Sequence, residues 1–108
     1  MEELKSLEEV EKFVAGTTDL IVLHFYGEHC HPCKKVQPNV DAVYEQLKNA
    51  PVKFARIEFS KNLEIMQHFS VMGVPAIVLI RNNKEVSRFA LKDLLNQSKL
   101  LALLVAYV

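Results

Sequence analysis

Cys30 and Cys33 are the only cysteines in the chain, and His31 and Pro32 separate them. Two thiols at that spacing can close a disulfide within a single turn of backbone. Ahead of them runs Leu20-Ile21-Val22-Leu23-His24-Phe25-Tyr26. This stretch is too short, and too β-branched and aromatic, for a helix, and it reads as a strand buried on both faces. Behind them Val36, Val40, Val43, Tyr44 and Leu47 recur at helical spacing. Pro32 suits the first turn of that helix, where its missing N–H would have had no partner. The first sulfur therefore faces the unpaired N–H groups and positive dipole end of a helix, which favour an anion. The thiolate is the reactive form of cysteine, so Cys30 is expected to ionise readily and meet a substrate. Cys33, one turn further in and more sheltered, is expected to resolve the mixed disulfide.

The elements that must hold this pair alternate in type. Ser6 and Glu9 form a capping-box pattern before Leu7, Val10, Phe13 and Val14, and Gly16 ends that helix. After the cysteine helix, which contains Pro38 and should be kinked there, Val52 to Phe59 alternates as a second strand. Asn62 to Phe69 reads as a short helix with Leu63 and Met66 inward. Val74-Pro75 introduces a third strand, Ala76 to Ile80, and Asn82-Asn83 turns it into a return strand from Glu85 to Ala90. A last helix spans roughly Asn96 to Tyr107, with Asn96 as its cap. A short strand near Leu4 fits as well. Strands alternating with helices imply a parallel portion, and the hairpin adds an antiparallel edge. The expectation is one α/β domain over residues 1–108 with helices on both faces of the sheet.

Composition excludes other classes. Of 108 residues half are hydrophobic, and 13 basic side chains balance 13 acidic ones. Such a chain can bury enough surface to fold, and it lacks the basic excess on which nucleic-acid affinity rests. Two cysteines are too few for a disulfide-stapled secreted scaffold. Met1 to Lys12 carries five glutamates and two lysines without the apolar core of a signal peptide. The longest apolar run, Leu100 to Val108, is nine residues, or about 14 Å as helix, against the ~20 residues that span a bilayer. A cytoplasmic protein with no membrane contact is expected, where a cysteine pair stays reduced unless it performs redox chemistry.

The segment Phe25-Tyr26-Gly27-Glu28-His29-Cys30-His31-Pro32-Cys33-Lys34 resembles the active-site segment of the thioredoxin family, FWAxWCGPCK. Pro38 and Pro75 lie 5 and 42 residues after Cys33, where the family keeps its helix proline and its cis proline. The resemblance covers nearly the whole chain. It implies a thioredoxin fold with a mixed four- to five-stranded sheet, and reduction of protein disulfides. It also implies no bound cofactor, with electrons arriving from an NADPH-dependent thioredoxin reductase. Val74 and Pro75 would form the wall of the substrate groove, joined by His29 and by Ala76, which stands where threonine is common. The glycine expected near Phe89 to Asp93 is absent, and about three extra residues precede the last helix.

Two departures bear on chemistry. His29 and His31 replace the family's tryptophan and glycine on either side of the first cysteine. A protonated imidazole beside Cys30 favours its thiolate, so His31 is expected to raise the redox potential above the ordinary family value, with Pro32 keeping reductase character. His24 replaces the family's buried aspartate, and two readings stand: a neutral imidazole with a pKa nearer 7 that accepts the Cys33 proton, or a core histidine with one hydrogen-bonded nitrogen. In either, neighbouring Arg56 would hold it neutral.

Rival functions are few. His24, His29, His31 and His68 accompany the cysteines, but their placement suits no four-ligand zinc site, and no metal is expected. An oxidase or isomerase of the protein disulfide isomerase kind is favoured by His31. In the last helix Leu101, Ala102, Val105, Ala106 and Val108 add to an inward stripe of Leu100, Leu103, Leu104 and Tyr107. This fits either an interaction protein or homodimer, or a helix buried more deeply by the extra residues ahead of it. Met66, Met72, Phe13, Phe25 and Phe69 read as core, and Lys34 and Lys35 as a solvated pair.

Overall fold

A computed structural model describes all of residues 1–108. Its elements run β1 (Glu2–Glu3), α1 (Leu7–Ala15), β2 (Leu20–Tyr26), α2 (His31–Leu47) and β3 (Val52–Glu58), then a 3-10 turn (Phe59–Lys61). They continue with α3 (Leu63–His68), β4 (Ala76–Arg81), β5 (Lys84–Phe89), α4 (Leu91–Leu94) and α5 (Gln97–Val105). The five strands form one sheet in the order β1-β3-β2-β4-β5. β1, β3 and β2 are mutually parallel, and β4 and β5 join antiparallel. This is the mixed sheet that the resemblance implied.

β2 is central because both of its faces are apolar. Leu20 and Val22 join Val52, Phe54, Ile77 and Leu79 in a cluster covered by Val36, Val40 and Val43 of α2 and by Leu100 and Leu104 of α5. Ile21, Leu23 and Phe25 point the other way and pack with Ile57, Val78, Val10 of α1 and Ile65 of α3. Since strand side chains alternate, His24 and Tyr26 share the α2 face with Leu20 and Val22.

The local signals operate largely as read. Ser6 Oγ accepts from Glu9 N at 3.1 Å, while the Glu9 carboxylate reaches back to Lys5 N. Asn96 caps α5 by accepting from Lys99 N at 2.9 Å. Asn82 and Asn83 both adopt positive φ, 53° and 63°, which closes the hairpin tightly. Pro38 lies inside α2 and offers no N–H to the Lys34 carbonyl.

Several boundaries differ for physical reasons. Phe59 leaves the strand because the Glu58 carboxylate accepts from Ser60 N and Lys61 N and starts the 3-10 turn. Met66 faces the core as expected, but Leu63, expected inward, is 62% exposed and Ile65 takes its place. The return strand begins and ends one residue earlier than the alternation suggested. The extra residues before the last helix form α4, where the Asp93 carboxylate accepts from Ala90 N and Leu94 is fully buried. Asn39 Nδ2 of α2 donates to the Leu94 carbonyl at 2.9 Å and ties α4 to the cysteine helix.

Candidate active site

The register of the central strands assembles the site. Phe25 of β2 lies opposite Ala76 of β4, so the loop leaving β2 and the loop entering β4 meet at one end of the sheet's central strands. The first carries Cys30 and the second Val74-Pro75, whose peptide bond is cis. Cys30 Sγ sits 3.8 Å from the Val74 carbonyl oxygen. Forty-four positions of chain are thereby reduced to one contact distance.

Cys30 is the N-cap residue of α2, and its sulfur accepts from Cys33 N at 3.3 Å. No acidic side chain occupies the first turn of this helix, so nothing there opposes negative charge on the sulfur. The two cysteines are joined as a disulfide with Cα atoms 5.3 Å apart. Cys30 is half-buried while Cys33 is only 2% exposed, the asymmetry that separates an attacking from a resolving thiol. His29, His31 and Pro32 are exposed around Cys30.

Gly27 allows this turn. A Cβ there would lie 2.7 Å from the Phe59 ring and 3.0 Å from Cys30 Cβ, so any side chain would push the first cysteine out of place. Gly27 read from sequence only as the end of a strand, because the clash comes from the 3-10 turn after β3. That turn is anchored by Glu58, a buried carboxylate that also accepts from Glu28 N at 3.0 Å. Burial alone would raise its pKa, but hydrogen bonds from Glu28, Ser60 and Lys61 outweigh it and hold the carboxyl below its usual range.

Beneath the cysteines, His24 pairs in register with Arg56 of β3. His24 is fully buried, and neither ring nitrogen has a hydrogen-bond partner. Burial first, and the Arg56 charge second, lower its pKa from 6.5 to about 4. The ring is neutral, as expected, but the expected basicity near 7 is corrected: burial removes it. A proton acceptor tuned to neutral pH is not what this imidazole offers.

Arg56 itself is fixed from two sides. Its guanidinium lies 3.9 Å over the Tyr26 ring, and its Nε is 3.7 Å from the Glu3 carboxylate. Tyr26 also donates its hydroxyl proton to Glu3 at 3.0 Å, and burial together with that bond pushes its pKa up to about 12. Between these groups and α2 opens a cleft of about 190 Å³ whose wall includes both Arg56 and Cys33.

On the other side of Cys30, a groove of about 420 Å³ runs along Met72, Val74, Pro75, Ala76, Arg88 and Phe89. Met72, expected in the core, is 98% exposed here. It follows a turn in which Ser70 has φ 53°, and the chain then runs outward to reach the cis proline. Arg88 pins that turn, donating to the Phe69 and Ser70 carbonyls at 2.6 and 3.0 Å while pairing with Glu85 at 2.7 Å. Sequence reasoning missed Arg88, because only the turn it reaches reveals its part. His68 ends α3, away from His24, His29 and His31, and no three His, Cys, Asp or Glu side chains converge as a ligand set.

Comparison with known proteins gives one answer. The family model described as Thioredoxin matches residues 3–105. Thioredoxin-1 of Drosophila melanogaster is 27% identical over 106 residues, covering 97% of this chain and 98% of the fly protein. Thioredoxin-2 of Saccharomyces cerevisiae is 28% identical over 86 residues, covering 80% and 81% of the two chains. The solved thioredoxin of Fasciola hepatica superposes with a TM-score of 0.88 at 29% identity, each chain covered in full. No helix here is long and apolar enough to cross a membrane. With its paired cysteines at the start of α2, the chain is a thiol–disulfide oxidoreductase of the protein disulfide reductase type, and it belongs to the thioredoxin family.

Proposed function

We propose that this protein reduces disulfides in a range of protein partners, with Cys30 as nucleophile and Cys33 as resolving thiol. The observation that carries the reading is the exposure asymmetry of the pair at a helix N-terminus, with the Val74 carbonyl beside the outer sulfur. The Cys30 thiolate attacks the target disulfide and expels one target sulfur as a thiolate. The Cys33 thiolate then attacks Cys30 Sγ, breaks the mixed disulfide, and releases the second target sulfur. An extended target segment would lie along the groove of Met72, Val74, Pro75 and Ala76, pairing with its backbone. His29 would border the same surface. A reductase drawing on NADPH returns two electrons to Cys30 and Cys33, and no bound metal or organic cofactor takes part. Such a carrier suits a reducing compartment such as the cytoplasm.

Reduction of insulin driven by NADPH and a thioredoxin reductase tests this. Turnover is expected in the wild type and none in Cys30→Ser. Oxidation of reduced substrates without insulin turnover would instead mark an oxidase or isomerase. His31 is proposed to raise the potential, because a protonated imidazole beside Cys30 stabilises the thiolate. Equilibration with glutathione should place His31→Gly at a lower potential than wild type by on the order of 10–30 mV. An equal or higher value for the variant removes His31 from this role.

A further inference from the structure

We propose that Arg56 stabilises the Cys33 thiolate across the cleft the two residues share, so that a fixed positive charge rather than a buried base prepares the resolving step. The inference rests on the reading of Cys33 as the resolving thiol.

Cys33 needs help to ionise, because it is almost fully buried and burial disfavours a thiolate. A buried base is not available for this at neutral pH. His24 of β2 is neutral down to about pH 4 and is fully buried without a hydrogen-bond partner. Arg56 is different in kind. It is charged at every relevant pH, it lines the cleft that Cys33 opens into, and its Nε is buried with no hydrogen bond of its own. Stacking on Tyr26 and the ion pair to Glu3 keep it from swinging out to solvent. A guanidinium beside a cysteine favours the thiolate.

The other charges around the cleft modify this without replacing it. Glu28, at the mouth, is committed to Lys61 at 2.9 Å. Glu58 is turned toward the backbone N–H groups of Glu28, Ser60 and Lys61. Tyr26 remains a neutral hydroxyl donor at neutral pH. Lys34, on α2, lines the same cleft and is exposed, so its charge acts through water. Glu3, on β1, is the one carboxylate seated against Arg56, and it offsets part of the positive field. In the resolving step the Cys33 proton leaves to water in the cleft. The thiolate then forms the bond to Cys30 Sγ as the bond from Cys30 to the substrate sulfur breaks, and the electron pair departs on that sulfur.

The charge arrangement gives the test opposite signs at two positions. In a Cys30→Ser background Cys33 is the lone thiol, and its alkylation rate by iodoacetamide against pH reports its ionisation. Adding Arg56→Gln should move the midpoint up by about one pH unit, and adding Glu3→Gln should move it down. Arg56→Lys, which keeps the charge, should stay near the parent. A merely structural Glu3–Arg56 pair would shift the Gln variants in the same direction, and that result overturns the proposal, as does an unmoved midpoint. Circular dichroism checks the fold of each variant, and if Arg56→Gln does not fold, the downward shift in Glu3→Gln still decides. The titration uses no protein substrate. Its failure is thus separate from failure of insulin reduction.

Discussion

His24 puts a polar ring with two unbonded nitrogens in the buried central strand of the sheet. Burying such groups without partners costs about 1–3 kcal/mol. His24→Leu, of similar size, is therefore expected to raise stability by about that amount at neutral pH in urea unfolding. The ring also makes the protein sensitive to acid. Its folded pKa, about 4, lies below the ordinary 6.5, so as pH falls the unfolded chain takes up this proton first. Stability is fully present above about pH 6.5 and is lost down to about pH 4, by roughly 3 kcal/mol. Glu58 and Glu85, whose folded pKa values are also lowered, lose stability at still lower pH in wild type and variant alike. The difference between the two proteins isolates the ring. A His24→Leu protein that is less stable than wild type, or that keeps the slope between pH 6.5 and 4, would show the imidazole to be satisfied. The identity of His24 was plain in the chain; its basicity was not, because that depends on the α2 helix over it and the Arg56 beside it.

The last helix left two readings open in the chain, a contact surface or a helix buried more deeply by the residues ahead of it. Its continuous apolar run suggested a contact surface, yet α4 pulls the chain inward ahead of it and α5 packs deeply against α2. Leu100 and Leu104 are fully buried, and Leu101 and Leu103 are half-buried against the same cluster. Arg81 of β4 donates to the Tyr107 carbonyl and holds the helix end down. What remains outside is Ala102, Val105, Ala106 and Val108, with Val105 52% and Val108 42% exposed. Ala102, Val105 and Ala106 share one face, but two alanines and a valine make only a small apolar patch, which is ordinary on a monomer surface. Val105→Glu should therefore leave the sedimentation coefficient unchanged and stability within about 0.5 kcal/mol. A shift to a smaller species in the variant would restore the dimer reading. Leu101→Glu could not make this distinction, since it would unpack the core as well.

At the scale of the whole molecule, some features were legible because they depend on neighbours in the chain. A CxxC followed by helical spacing, the all-apolar β2, the Asn82-Asn83 turn and the Ser6 and Asn96 caps are local statements about propensity, pattern and hydrogen bonding. They were enough to place a cysteine pair at the start of a helix and to lay out the order of strands and helices. Other features needed strands from distant sequence to lie side by side. The pairing of Phe25 with Ala76 is what sets the cis-proline loop against Cys30. The pairing of β3 with β2 and with β1 sets Arg56 beside His24 and Glu3, and Arg56 and Cys33 line one cleft. Met72 illustrates the limit from the other side: its type suggests the interior, and only the course of the loop puts it on the rim of the groove. The chemistry of the thiol pair was thus determined by the sequence itself, since a dithiol one helical turn apart carries its reactivity in its spacing. Which side chains stand around that pair, and whether a charge or a base prepares the inner thiol, was decided only by the tertiary structure. Burial and electrostatic fields act through space, and contacts made across the sheet are not written along the chain.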